Sequence, residues 1–195
     1  MTDGRTYKMR RRAEQVAETR ARIVEATVEL HSERGPARTT VAEIARRAGV
    51  ERLTVYNHFP DDHLLFAACQ AHWLAESPPP NPTQHAAILD PDDRLEAVLR
   101  DLYAWYRRGE RMLRNVTRDA ETLPPLQDTL SAQRLATEQT VALLLEGRRT
   151  RGKRRLRLTA ALTLALEFRA WDTLTTAGLT DREAARLTAA MVAAA

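Results

Sequence analysis

Residues Thr40 to Phe59 read TVAEIARRAGVERLTVYNHF, and the organisation of the whole chain can be worked out from there. A short amphipathic helix reaches a turn at Ala48-Gly49-Val50, then a second short helix runs to Tyr56-Asn57-His58-Phe59. Two helices joined by a three- or four-residue turn containing glycine form a helix-turn-helix, whose second helix is shaped to enter the major groove of DNA. At about 100° per residue, Val55 and Phe59 fall together on that helix and are expected to face a core. Asn57 falls opposite them, with Leu53 nearby and Thr54 and Tyr56 on the shoulders.

An exposed face of Asn, Thr, Tyr and a bare leucine is odd in water and useful in a groove. Asn can bond adenine N6 and N7 together, Thr can donate or accept, and an apolar side chain can touch a thymine methyl. Arg52 can reach phosphate or guanine. Tyr56 and His58 are placed for phosphate oxygens, as is the helix N-terminus at Thr39-Thr40 with its free N–H groups. The expected DNA contacts are therefore Thr39, Thr40, Arg52, Leu53, Thr54, Tyr56, Asn57 and His58.

Upstream, a first helix is expected from about Glu14 to Arg34, with Val16, Ile23 and Leu30 every seven residues and Ala26 and Thr27 beside them. Gly35-Pro36 ends it, since Gly takes the left-handed cap conformation and Pro cannot continue a helix. Thr39 or Thr40 caps the next, with Glu43 as capping-box partner. Phe59-Pro60 closes the third. Asp61 or Asp62 opens a fourth, carrying Leu64, Leu65, Ala68 and Trp73. Pro78, Pro79, Pro80 and Pro82 then exclude helix and read as an extended connector.

Past the connector, Asp92-Asp93 suit a helix start, and Leu95, Leu99, Leu102 and Tyr106 follow at helical spacing. Gly109 is expected to break this helix, and a shorter one covers Arg111 to about Ala120. Pro124-Pro125 opens another, ending near Leu145-Glu146-Gly147. A basic loop, Arg148 to Arg155, leads to an apolar helix from about Leu156 to Thr175. Gly178 ends that helix, and Thr180 caps the last, Asp181 to Ala194. The expectation is an all-α chain of about nine helices. It divides into a basic arm (1–13), a three-helix helix-turn-helix DNA-binding domain (14–75, motif 40–59), a Pro-rich connector (76–82) and a dimerisation and effector-binding domain (83–195).

Composition agrees with helix: Leu and Ala dominate, and there are only 7 glycines in 195 residues. The net charge is +4; residues 1–60 hold 12 basic and 8 acidic side chains, and 61–195 hold 18 of each. Arg5, Lys8, Arg10, Arg11 and Arg12 form a run without an acid, which suits phosphate neutralisation and equally suits a solvated tail. The single Cys69 excludes an internal disulfide, fits a reducing cytoplasm and reads as a buried structural thiol. No apolar run reaches membrane-spanning length, and the Arg-rich start has no apolar stretch of the kind a secretory signal needs.

Residues from about Thr19 to Trp73 resemble the DNA-binding domain of TetR/AcrR-type transcriptional regulators. The resemblance is carried by Arg22-Ile23-Val24-x-Ala26, Glu33-Arg34-Gly35, Thr39-Thr40-Val41, Ile44-Ala45-x-x-Ala48-Gly49-Val50, Thr54-Val55-Tyr56-x-His58-Phe59 and Leu64-x-Phe66. It implies a cytoplasmic, nucleoid-associated, all-helical homodimer on a near-palindromic operator, usually a repressor released by a small-molecule effector. Four positions depart from the pattern. Leu53 stands where a small residue is usual, Asp62 where a phosphate-contacting Lys is common, and Glu51-Arg52 where Ser-Lys is common. Asp62 and Glu51 weaken backbone affinity, and the basic arm and Arg38 are expected to compensate.

In the second domain, Leu158, Leu162, Ala165 and Trp171 mark one flank of the penultimate helix and Ala184, Leu187 and Met191 line the last. These are expected to pair across a twofold axis, because reading a palindrome needs two recognition helices about 34 Å apart. Trp105, Tyr106, Met112, Phe168 and Trp171, with Arg118, are the expected effector contacts. Arg114, Asp119 and Glu121 are further polar candidates.

Other signals are weaker. Gly147 to Lys153 opens like a phosphate-binding P-loop, but Arg154 stands where a magnesium-binding hydroxyl belongs and no strand precedes it. The 5 histidines have no ligand spacing, so no metal and no cofactor are expected. Asn115-Val116-Thr117 matches a glycosylation sequon, which has no meaning in a cytoplasmic protein. No catalytic constellation is visible, so an enzyme is not expected. The alternative to an effector-released repressor is a ligand-independent architectural or partner-dependent DNA-binding protein.

Overall fold

Cap chemistry sets most of the helix boundaries. The computed structural model describes residues 3–195 as α1 (Asp3–Arg34), α2 (Val41–Ala48), α3 (Arg52–His58), α4 (Asp62–Glu76), α5 (Pro91–Asp119), α6 (Pro124–Thr129), α7 (Ser131–Leu145), α8 (Gly152–Ala165), α9 (Phe168–Thr176) and α10 (Asp181–Ala193). Short 3-10 turns cover Pro36–Arg38 and Pro82–His85. The fold is all-α, with no strand among the described residues. Thr40 and Thr180 form capping boxes with Glu43 and Glu183, and Asp61 accepts the Leu64 N–H at 2.8 Å. Asp90, which the sequence reading passed over, accepts the N–H groups of Asp92 and Asp93 at 2.8 and 3.0 Å ahead of α5.

Four boundaries differ from expectation. The basic arm is helical from Asp3 and continues into α1; Met1 and Thr2 lie outside the described residues. Gly109 does not break α5 but is buried within it. An isolated glycine costs a helix only about 1 kcal/mol, and the buried side chains around it outweigh that. The segment opened by Pro124-Pro125 is divided into α6 and α7, and the helix expected over 156–175 begins at Gly152 and stops at Ala165, to restart as α9. No glycine or proline marks that last break. Tyr103 Oη donates to the Ala165 carbonyl (2.9 Å) and Tyr106 Oη to the Leu166 carbonyl (2.6 Å), so another helix stabilises the carbonyls at the interruption.

The chain forms two compact units: residues up to Ser77 with Arg114–Thr129, and Pro78–Leu113 with Leu130–Ala195. The division falls between Ser77 and Pro78, and 114–129, read from the sequence as part of an unbroken 83–195 domain, groups with the first unit. The first core joins Ile23, Val24, Ala26 and Leu30 to Ile44, Ala45, Ala48, Val55, Phe59, Leu65 and Cys69. Thr27 is fully buried and satisfied, its hydroxyl donating to the Ile23 carbonyl at 2.7 Å. Burial pushes the Cys69 thiol up to about 12, which makes it a packing group. Val16, spaced with Ile23 and Leu30 in sequence, is exposed: among the described side chains, those that α1 buries begin at Ile23.

The second core is formed by Leu95, Leu99 and Tyr103 of α5, Leu144 of α7, Leu158, Leu162 and Ala165 of α8, Trp171 of α9, and Ala184 and Ala185 of α10. Leu158, Leu162, Ala165, Trp171 and Ala184 are therefore interior, not part of an exposed pairing flank. On α8 and α10 the exposed large apolar side chains are Leu156 and Leu164, and Leu187 and Met191, respectively. Among the described residues, no helix is long and apolar enough to cross a membrane.

Candidate nucleic-acid interface

The motif is built on α1. Arg47 of α2 donates to Glu29 (2.8 Å) and to both oxygens of Glu33 (3.0 Å each), docking α2 against α1. Gly49 then takes φ 66°, where side-chain-bearing residues are strained, and its N–H caps α2. A Cβ on Gly49 would stand 3.9 Å from the Arg22 guanidinium, so this exposed cation lies beside the turn. In sequence Arg22 carries only the family resemblance, and its place beside the turn comes from the fold.

Turning at Gly49 sets the roll of α3. Val55 and Phe59 are 1% and 3% exposed, with the Arg20 guanidinium 4.7 Å from the Phe59 ring centroid. Opposite them, Leu53 and Tyr56 are 69% and 52% exposed. Arg52 and Asn57 are also exposed, and Thr54 and His58 are half-buried. The six expected α3 contacts thus share one short helix whose apolar side is fixed inward.

Thr39 and Thr40 lie at the start of α2 but are less free than expected. The Thr39 hydroxyl donates to the Gly35 carbonyl at 2.8 Å. In the capping box, Glu43 accepts from the Thr40 N–H (3.1 Å) while Thr40 Oγ1 accepts from the Glu43 N–H (3.3 Å). The Thr40 backbone and side-chain hydrogen bonds hold the half-buried Glu43 carboxyl below its ordinary range. At this helix end the N–H groups of Val41 and Ala42 make no backbone hydrogen bond among the described residues.

Just before Thr39, the last turns of α5 hold the joint between α1 and α2. Asn115 donates to the carbonyls of His31 (3.1 Å) and Ser32 (2.9 Å), and Arg118 donates to that of Arg34 (3.1 Å). Asp119 accepts from the Ala37 N–H (3.0 Å) and from Arg118 (2.6 Å). Burial raises the Asp119 carboxyl, but the Arg118 bond and the Ala37 amide outweigh it, leaving the group below its ordinary range. Gly35 has φ 97°, and a Cβ there would lie 2.3 Å from both Arg118 and Asp119. His31 is buried against Phe66, ring centroids 5.6 Å apart, and desolvation lowers its imidazole to about 4. Spacing gave no warning of this joint, because its partners are more than 80 residues apart.

Of the expected effector residues, Trp105, Tyr106, Phe168 and Trp171 come together in the second unit. Tyr106 lies 5.5 Å from Trp105, 5.4 Å edge-on to Phe168 and 5.9 Å from Trp171. Met112 is buried in the same unit. Arg118 is not brought to these rings; it belongs to the first unit and is engaged at the α1 end. Trp171 Nε1 donates to Asp181 (3.0 Å), and Arg107 lies over its ring. No group of three His, Cys, Asp or Glu side chains suited to a metal occurs among the described residues.

An amphipathic α3 with its polar face outward, set by a glycine turn on α2, defines a helix-turn-helix DNA-binding protein. Residues 23–69 match the family described as bacterial regulatory proteins, tetR family. An uncharacterised HTH-type transcriptional regulator of Mycobacterium tuberculosis is 34% identical over 133 residues, covering 67% of this chain and 63% of its own length. The HTH-type transcriptional regulator TtgR of Pseudomonas putida is 51% identical over 51 residues, covering 26% of this chain and 24% of that protein. Among solved structures, NalD, the secondary repressor of the MexAB-OprM multidrug efflux pump in Pseudomonas aeruginosa, superposes with a TM-score of 0.62 at 22% identity. That match covers 93% of this chain and 96% of NalD. Residues 23–69 are thus a helix-turn-helix domain of the TetR type, and the likeness to NalD extends the fold over most of the chain. The chain matches the mycobacterial relative over less than two thirds of that protein's length.

Proposed function

We propose that the protein is a sequence-specific transcriptional regulator that binds a near-palindromic operator as a homodimer and represses from it. The observation that carries this reading is the α3 face: Leu53, Tyr56 and Asn57 are exposed while Val55 and Phe59 anchor the helix from behind. Thr39, Thr40, Arg52, Thr54 and His58 complete the contact set, with Arg22 added as a phosphate contact beside the turn. Leu156 and Leu164 on α8, with Leu187 and Met191 on α10, supply the apolar surface for pairing two copies. Operator binding places the protein in the cytoplasm with the chromosome. The structural likeness to a repressor supports the sign of regulation.

A small-molecule effector would act at the rings of Trp105, Tyr106, Phe168 and Trp171, with Met112. It changes operator affinity only through its differential affinity for the two arrangements of the protein. One observation favours the ligand-independent alternative: the rings are packed on one another, and the Tyr106 hydroxyl is already bonded. A ligand panel separates the two, since an effector raises the melting temperature and releases DNA.

Selection from a random duplex pool tests the main reading. Two half-sites of related sequence, one helical turn or a multiple apart, are expected. Asn57→Ala should remove about 1–3 kcal/mol of discrimination at one base pair per half-site. Equal loss on random DNA would make Asn57 a backbone contact, and no enrichment at all would refute sequence-specific binding.

A further inference from the structure

We propose that the second unit carries its own surface for the phosphate backbone of duplex DNA, made by Arg149, Arg151, Lys153, Arg154, Arg155 and Arg157. The α3 reading enters only in the choice of duplex as the occupant. Residues 149–157, RTRGKRRLR, hold six cations and no acid. All six are exposed, and none makes a side-chain hydrogen bond or ion pair among the described residues.

Charge divides differently by unit than by stretch of sequence. The first unit holds 14 basic and 14 acidic side chains, so the excess of its first sixty residues is cancelled by Asp61, Asp62, Asp119 and other acids within the unit. The second holds 16 basic and 12 acidic, and outside these six cations it has 10 against 12. The run supplies the whole positive excess of the protein.

Its base is anchored. The neighbouring Arg148 turns inward, donating to the carbonyls of Pro91 (2.8 Å) and Leu144 (3.1 Å) and pairing with Asp92 (2.6 Å). Arg94 is buried and donates to the Glu146 carbonyl at 3.1 Å, capping the end of α7. From that fixed turn the six cations spread over the loop and the first turns of α8. Arg151, at the N-cap of α8, makes no side-chain cap bond, and the first turn has no acid. Cations at a helix N-terminus oppose the helix dipole, an arrangement that an external polyanion relieves. Five of the six are arginines, whose planar forks match pairs of phosphate oxygens.

The test uses the full chain with Arg149, Arg151, Lys153, Arg154, Arg155 and Arg157 all changed to Gln. Affinity for a non-specific duplex is titrated against salt, beside a recognition-helix variant, Tyr56→Ala with Asn57→Ala. The six-fold variant is expected to melt at the parent's temperature and bind non-specific duplex about tenfold more weakly at low salt. Its slope of log affinity against log salt should be shallower by about 2 or more. Two partial variants, R149Q/R151Q and K153Q/R154Q/R155Q/R157Q, should each give part of the change, which covers the case in which the full variant does not fold. A slope equal to the parent's would overturn the proposal while leaving sequence preference intact. Persistence of patch-dependent binding without sequence preference would instead reject the reading of α3 alone. Loss of binding to phosphatidylglycerol vesicles with DNA binding unchanged would assign the surface to membranes and overturn the proposal as well.

Discussion

The helix-turn-helix unit and the second unit use helices differently. In the first, α2 and α3 are 8 and 7 residues long, too short to be stable alone, and each is fixed by a cap, a turn or a docking ion pair from its neighbours. Their apolar sides go inward and leave α3's polar face to be read. In the second, large side chains such as Tyr103, Tyr106 and Trp171 are buried, and their polar atoms bond carbonyls or carboxylates of other helices. The first unit spends its specific chemistry on its surface; the second spends it holding an interior together. For that reason one unit announces its function in a twenty-residue stretch, and the other gives no motif.

Trp171→Ala should destabilise the second unit by about 3–5 kcal/mol, because the indole is fully buried and its N–H is bonded to Asp181. Denaturant unfolding followed by separate probes in each unit would show whether the first unit survives. A single coincident transition would mean that the units are not independent in stability.

Acid should act next, on the first unit. The folded chain holds the His31 imidazole near 4 while the unfolded chain protonates at its ordinary value, so only the unfolded state takes up a proton as pH falls from about 6.5. The contribution of neutral His31 is complete above that pH and is lost progressively down to about 4, a decline of about 3 kcal/mol. Asp119, its carboxyl held below the usual range in the fold, adds in the same direction at lower pH. Stability measured against pH for the parent and for His31→Gln checks this; equal slopes between pH 6.5 and 4 would remove His31 from the account.

The smallest effect sharpens the contrast. Thr40→Ala breaks the capping box of α2 and should cost about 1 kcal/mol in unfolding free energy. It should also weaken operator binding, because the same end of α2 presents the Val41 and Ala42 amides. Asn57→Ala, on an exposed position, should leave unfolding within about 0.5 kcal/mol of the parent.

The legible parts have local causes. Thr40 with Glu43, Gly49 with its turn, and Val55 with Phe59 act within a few residues, so spacing was enough to predict them. Val16 misled because periodicity states which face of a helix is apolar, not where its neighbours end. Gly109 misled because helix propensity is weak beside burial. The interruption after Ala165 and the joint at Gly35 escaped because distant groups make them: Tyr103, Tyr106, Asn115, Arg118 and Asp119. Arg118 illustrates the difficulty, since an arginine near aromatic positions in sequence is instead committed to the end of α1.

By itself the sequence determined an all-helical chain, a helix-turn-helix at 40–59 and the face α3 turns outward, since short-range spacing and caps govern each of these. Only the tertiary structure decided that 114–129 belongs with the first unit, that Leu158, Leu162 and Trp171 lie inside, and that the unbalanced charge resides at 149–157. Burial and charge balance depend on which distant segments meet, and that is settled when the chain packs.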